Sequence, residues 1–153
     1  MENKKDQLII TRVFDAPREL VWEAWTKAEH VKHWWGPTVF TNPVCEINAV
    51  PDGHFIIHMR SPDGIVFIMD STYKEVTEPE RLVFLSVSKN AAGHAIMEQI
   101  NTVLFVQEGG KTKVTMQIDT LSCKPEYAGH LQGMSVGINQ GLDKLANYLN
   151  NRK

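Results

Sequence analysis

With 153 residues, 42% of them hydrophobic and 22% charged, the chain has the composition of one globular domain, long enough to bury about two thirds of its surface. A formal net charge of −2 provides no global attraction for phosphate backbones or anionic lipid, so neither nucleic acid nor a membrane is expected as a partner. No apolar run approaches the roughly 20 residues of a membrane helix and the start, Met1 to Gln7, lacks a signal-peptide core; Cys45 and Cys123 stand far apart outside any CxxC, which suits a cytoplasmic chain with reduced thiols.

The predicted elements follow in order. Leu8 to Phe14, rich in β-branched and aromatic residues, reads as a strand, and Asp15-Ala16-Pro17 supplies an N-cap and a first-turn proline for a helix. On that helix Leu20, Val21, Ala24 and Trp25 make the buried face, with Trp22 at its edge. A second short helix, Ala28 to His33, runs into Trp34-Trp35-Gly36-Pro37, where glycine and proline stop it. From Val44 the period changes to two, and turns such as Pro51-Asp52-Gly53 and Gly109-Gly110 punctuate six further strands: Val44 to Val50, His54 to Arg60, Ile65 to Val76, Arg81 to Lys89, His94 to Gln107 and Thr112 to Asp119. This is an antiparallel meander with one wet face and one covered face.

The cover is the last stretch, Pro125 to Lys153, which reads as one long helix. Tyr127, Leu131, Met134, Ile138, Leu142, Leu145 and Leu149 recur at steps of four and three and share one face. Gly129, Gly133, Gly137 and Gly141 each weaken a helix interior by about 1 kcal/mol relative to alanine. Gly137 and Gly141 end beside the stripe, where the missing side chain admits either a backbone or a ligand. Apolar parity assigns Cys45, Ile47, Phe55, Ile57, Met59, Ile65, Phe67, Met69, Ser71, Tyr73, Val114, Met116 and Ile118 to the covered face. Three methionines there, with Met134 from the helix, supply thioethers that fill irregular cores or adapt to varied apolar ligands.

Six motifs in order now resemble the family of activators of heat shock protein ninety ATPase homologues, within the START-like, birch-pollen-allergen-like helix-grip superfamily. They are Arg12-Val13-Phe14-Asp15-Ala16-Pro17 with Val21-Trp22 and Ala24-Trp25; Trp34-Trp35-Gly36-Pro37; Met59-Arg60-Ser61-Pro62-Asp63-Gly64; Tyr73-Lys74-Glu75-Val76; Pro79-Glu80-Arg81-Leu82-Val83; and Gly133-Met134 with Gly137 and Leu142-Asp143-Lys144-Leu145. The resemblance implies an α+β helix-grip fold, a seven-stranded curved antiparallel sheet wrapped around a long C-terminal helix with two short helices between strands one and two, in a single domain over residues 1–153, ordered from about 8 to 150. It also implies a hydrophobic cavity, with the segment after the helix pair near its mouth. Eukaryotic activating cochaperones of the family carry a further N-terminal domain for which 153 residues leave no room. Ser71 stands where many relatives have glycine.

A search for chemistry finds little. His30 with His33, and His54 with His58, gain no third ligand nearby, so no metal is expected. Ser86-Val87-Ser88-Lys89 matches S-x-x-K on a strand without its partner motifs, and Gly109-Gly110-Lys111-Thr112 lacks phosphate-loop spacing. Tyr73 and Glu75 share a strand parity that permits an acid–base pair on the cavity wall, against the plainer arrangement of a core tyrosine and a carboxylate at the wet end. Arg60 and Arg81 suit surface ion pairs more than an acidic ligand.

The expectation is therefore a binding protein for a small apolar or aromatic molecule, with no catalytic residue and no cofactor. A chaperone-contacting regulator and a polyketide cyclase- or aromatase-like enzyme are the alternatives; the oligomeric state stays open. The candidate ligand-binding residues are Trp34, Trp35, Phe55, Ile57, Met59, Phe67, Met69, Ser71, Tyr73, Met116, Met134, Gly137 and Ile138.

Overall fold

Seven strands pair into one antiparallel sheet in the computed structural model, which describes residues 7–151. They are β1 (Gln7–Phe14), β2 (Thr41–Ile47), β3 (His54–Arg60), β4 (Val66–Thr77), β5 (Arg81–Lys89), β6 (Ala95–Glu108) and β7 (Lys111–Cys123), with helices α1 (Arg18–Thr26) and α2 (Ala28–Val31) between the first two. The spatial order β1-β7-β6-β5-β4-β3-β2 is the meander read from the alternation, with β1 returning to pair with the last strand. The fold is the α+β helix grip that the motifs implied. β3 and β5 have the bounds expected for them, whereas β2 begins three residues early and β7 runs on to Cys123. Ladder hydrogen bonds, which parity does not reveal, set those ends.

The C-terminal segment is less regular than its apolar repeat suggested. A 3₁₀ turn at Pro125–Tyr127 leads into α3 (Ala128–Gln132) and then α4 (Met134–Asn150). Gly133 sits between them at φ −87°, ψ −1°, in the bridge region at the margin of helix geometry. The path itself continues, because the Gly133 and Gly137 amides still donate to Gly129 and Gly133 carbonyls. The end expected at Lys153 lies outside the described residues.

The core divides the helix stripe in two. Leu142, Leu145 and Leu149 are buried, while Tyr127, Leu131, Met134 and Ile138 are only half-buried. At about 1.5–3 kcal/mol for each fully buried leucine, the C-terminal half contributes roughly 5–9 kcal/mol. Under it Trp25 meets Trp34 and Phe105 edge-on at 4.8 and 6.0 Å, and Trp22 packs on Phe105 at 5.2 Å. Trp22 is therefore a core residue and Leu20 the half-buried one, the reverse of the expected edge. Helix α1 also starts later than expected. Pro17, at φ −68° and ψ 153°, occupies the N-cap position in place of Asp15, and its carbonyl accepts the first-turn amides of Leu20 and Val21. Ile65, assigned to the covered face, precedes β4 in the turn and is exposed.

Candidate functional site

Where the helical stripe is half-buried, it roofs a cleft of about 410 Å³ above the sheet. Met59, Phe67, Met69, Ser88, Ile96, Met97, Gln99, Asn101, Met116 and Ile118 form the floor. Trp34, Trp35, Gly36, Pro37 and Phe40 form a wall, and α3 and α4 contribute Gly129, His130, Gly133, Met134, Gly137, Ile138, Gly141 and Leu142. Met97 joins the four thioethers already assigned to this face, giving a lining that is polarisable and adaptable. Among the described lining residues His130 is the only ionisable one.

Glycines set the height of the roof. A Cβ on Gly141 would lie 3.1 Å from the Trp34 carbonyl and 3.2 Å from that of Gly36, and one on Gly137 would lie 3.2 Å from the Pro37 ring. Both therefore serve close approach of α4 to the Trp34–Pro37 segment. The Lys144 ammonium donates to the Pro37 carbonyl at 3.1 Å and the Gln140 side-chain oxygen accepts from the Thr38 amide at 3.1 Å. Burial holds the Lys144 pKa below its ordinary value. On the other side of α4, Arg12 of β1 reaches Asp143 at 2.8 Å. At Gly129 a Cβ would meet nothing within 4 Å.

Of the thirteen candidate residues, Trp34, Trp35, Met59, Phe67, Met69, Met116, Met134, Gly137 and Ile138 line the cleft. Phe55, Ile57, Ser71 and Tyr73 do not; all four are buried beneath it. Trp35 lies between, with its ring edge-on to Phe55 at 5.1 Å, and Phe55 stacks on Tyr73 at 6.3 Å. Sequence reasoning missed most of what β6 contributes. Gln99 and Asn101 look like wet-face residues by type, yet Met97, Gln99, Asn101, Val103 and Phe105 share one parity and all are buried. The apolar Val103 and Phe105 were the available signal that this parity faces inward.

The Tyr73–Glu75 pair is separated by backbone geometry. Lys74 is an extra residue opposite β5, since Tyr73 pairs with Phe84 but Glu75 with Val83. The bulge reverses the alternation. Glu75 thus turns outward to Arg81 at 3.1 Å and Thr77 at 2.9 Å, which hold its carboxyl below its ordinary pKa. The Tyr73 hydroxyl and the Ser71 hydroxyl stay buried with no hydrogen-bond partner among the described residues. Burial, with a smaller effect of nearby Cys45, pushes the Tyr73 phenol well above its ordinary pKa, and burial raises the Cys45 thiol to about 11.

Raised pKa values mean that the folded chain keeps protons the unfolded chain releases. Stability is therefore whole below the unfolded thiol pKa of 9.0 and declines as pH rises toward 11, with Tyr73 adding to the decline above 10.0. Melting temperature is expected to fall over that window. Combining Cys45→Ala with Tyr73→Phe should flatten the profile, and an unchanged slope would show that neither group stays protonated in the fold.

The remaining motifs have structural roles. His30 lies 2.6 Å from the Tyr148 hydroxyl and His33 stacks on the same ring, while Lys89 of the S-x-x-K match pairs with Asp70 at 3.0 Å. Gly109, at φ +64°, makes the turn between β6 and β7. Among the described residues no group of three or more His, Cys, Asp and Glu side chains could hold a metal, and no helix is long and apolar enough to cross a membrane.

Comparison with known proteins adds the following. A family model described as "Activator of Hsp90 ATPase homolog 1-like protein" matches residues 15–150. No curated protein matches the chain. Among solved structures, a crystal structure of a Nitrosomonas europaea protein is similar with a TM-score of 0.83 and 21% identity, covering 99% of this chain and 98% of that one. A solution structure from Staphylococcus epidermidis has 27% identity and a TM-score of 0.77, with 99% and 94% covered. The AHSA1 protein from Silicibacter pomeroyi has 16% identity and a TM-score of 0.82, with 96% and 99% covered.

Proposed function

The chain belongs to the activator of Hsp90 ATPase homolog 1-like family, and on that premise we propose that it binds a small hydrophobic or aromatic molecule between the sheet and the C-terminal helix. The observation that carries the reading is the divided helix stripe. Leu142, Leu145 and Leu149 are packed to near-zero exposure, while Met134 and Ile138 on the same face line a cleft of about 410 Å³. That volume falls within the roughly 300–1,000 Å³ of small-molecule sites, and the lining matches them in kind, mostly apolar and aromatic with a few polar groups. An apolar guest would remove half-buried Met134, Ile138 and Trp35 from water, at about 25 cal/mol per Å² of apolar surface covered.

Trp34 and Trp35 make the occupant observable. A panel of flat aromatic and fatty compounds is expected to include at least one that changes tryptophan emission with a Kd on the order of micromolar, about −8 kcal/mol. Gly137→Leu is a poor blocking variant because its Cβ would press on Pro37. Met116→Trp instead adds bulk from the floor. Calorimetry should show it binding the same compound at least about tenfold more weakly while it melts within a few degrees of the parent. A panel with no binder, or an unaffected Met116→Trp, would remove the reading.

A further inference from the structure

Resting on that reading, we propose that Gln99 and Asn101 restrict the occupant to neutral molecules that carry a hydroxyl or N–H donor on an otherwise apolar body. Both side chains line the cleft and both are 7% exposed. The amide nitrogens are already engaged with the protein. Asn101 Nδ2 donates to the Ser86 hydroxyl at 2.9 Å and to the Phe84 backbone carbonyl at 3.4 Å, and Ser86 in turn donates to the backbone carbonyl of Gln99 at 3.5 Å. Gln99 Nε2 donates to the Thr120 hydroxyl at 3.0 Å and contacts the Met134 sulfur at 3.5 Å.

These partners determine which way each amide is turned. A peptide carbonyl and a thioether accept only, so they hold the NH₂ ends toward the protein. Asn101 Oδ1 and Gln99 Oε1 then accept no hydrogen bond from any described residue. Neither oxygen is fully enclosed, and both residues line the cleft. Two acceptors without a donor among the described residues, on the floor of an apolar cleft, favour a guest that brings the donor.

Charge narrows the class further. His130, the only ionisable group among the described lining residues, is exposed and packs edge-on to Phe67 at 5.1 Å. A carboxylate entering the cleft would face two carbonyl dipoles of the wrong sign with no fixed cation to offset its desolvation. An ammonium would lack a carboxylate there. The Ser88 hydroxyl adds one adaptable donor but no charge. What remains is an aryl or alkyl alcohol, a phenol, or a neutral N–H heterocycle.

Three compounds of nearly equal size separate the alternatives: naphthol, methylnaphthalene and naphthoate. Titrated into the full chain, naphthol is expected to bind about tenfold more tightly than either of the others. Gln99→Met preserves side-chain length and Asn101→Leu side-chain size, and the folding of each is checked by its melt. Either should lower naphthol affinity about three- to tenfold and leave methylnaphthalene binding unchanged or tighter. Equal affinities of the parent for all three, tightest binding of naphthoate, or a naphthol preference that survives in folded Gln99→Met would overturn the inference while leaving the cleft as a binding site. Failure of all three compounds to bind the parent would instead overturn the binding reading, and the inference with it.

Discussion

Truncating Leu145 to alanine is expected to destabilise the fold by about 2–5 kcal/mol, measured as the change in urea unfolding free energy. Leu145 is fully buried at the centre of α4, over the core that α1 and its tryptophans complete. Its loss removes the transfer energy of its own atoms and leaves a void in a close-packed core that relaxes only partly into it. Met134→Ala, on the same stripe, is expected to cost only about 1 kcal/mol, since its side chain is half-buried against open space. Equal losses at the two positions would mean that the cleft is packed in solution and that the divided stripe does not exist there.

Replacing Gly141 by leucine is expected to cost about 3 kcal/mol or more, although leucine is a better helix former by nearly 1 kcal/mol. The opposing atoms decide the sign. A Cβ would stand 3.1–3.3 Å from the carbonyl of Trp34 and the backbone of Gly36, and backbone held by the Lys144 and Gln140 hydrogen bonds yields far less readily than the end of a flexible side chain. Gly129→Ala, with nothing within 4 Å of its new methyl, should stabilise by up to about 1 kcal/mol. Thermal melts of both variants check this, and a stable Gly141→Leu would show that α4 stands farther from the Trp34–Pro37 segment.

The candidate site was legible where apolar type and parity agreed. Met59, Phe67, Met69 and Met116 were assigned inward by alternation and line the cleft. Parity ran out at the bulges. The extra Lys74 reverses the alternation before Glu75, and the extra Ile96, opposite the step from Ser88 to Lys89, lets Ile96 and Met97 both turn inward. Depth was equally hidden. Phe55 and Tyr73 have the same inward parity as Met59 and Met69, but only the placement of Trp35 across them decides which rings meet the cleft and which lie under it. Gln99 and Asn101 escaped notice because residue type outweighed position; a polar side chain on an inward position reads as solvent-facing until its neighbours on the strand are counted.

Residue order alone determined the meander, the helix pair after the first strand, the apolar stripe on the last helix and, through linked motifs, the family. Those features are local or periodic, and alternation at two or 3.6 residues carries them without knowledge of what packs where. Only the tertiary structure decided that the stripe is sealed at Leu142, Leu145 and Leu149 and open at Met134 and Ile138. Both halves of that stripe obey the same period and carry the same kind of residue. The difference lies in the opposing surface. The Trp34–Pro37 segment closes on Gly137 and Gly141, and Leu142, Leu145 and Leu149 join the buried core. Between the methionine-lined sheet and the first turns, by contrast, lies a cleft of about 410 Å³, bridged by the Gln99–Met134 and Phe67–His130 contacts. Distances between elements far apart in sequence set that gap, and no pattern within either element encodes them.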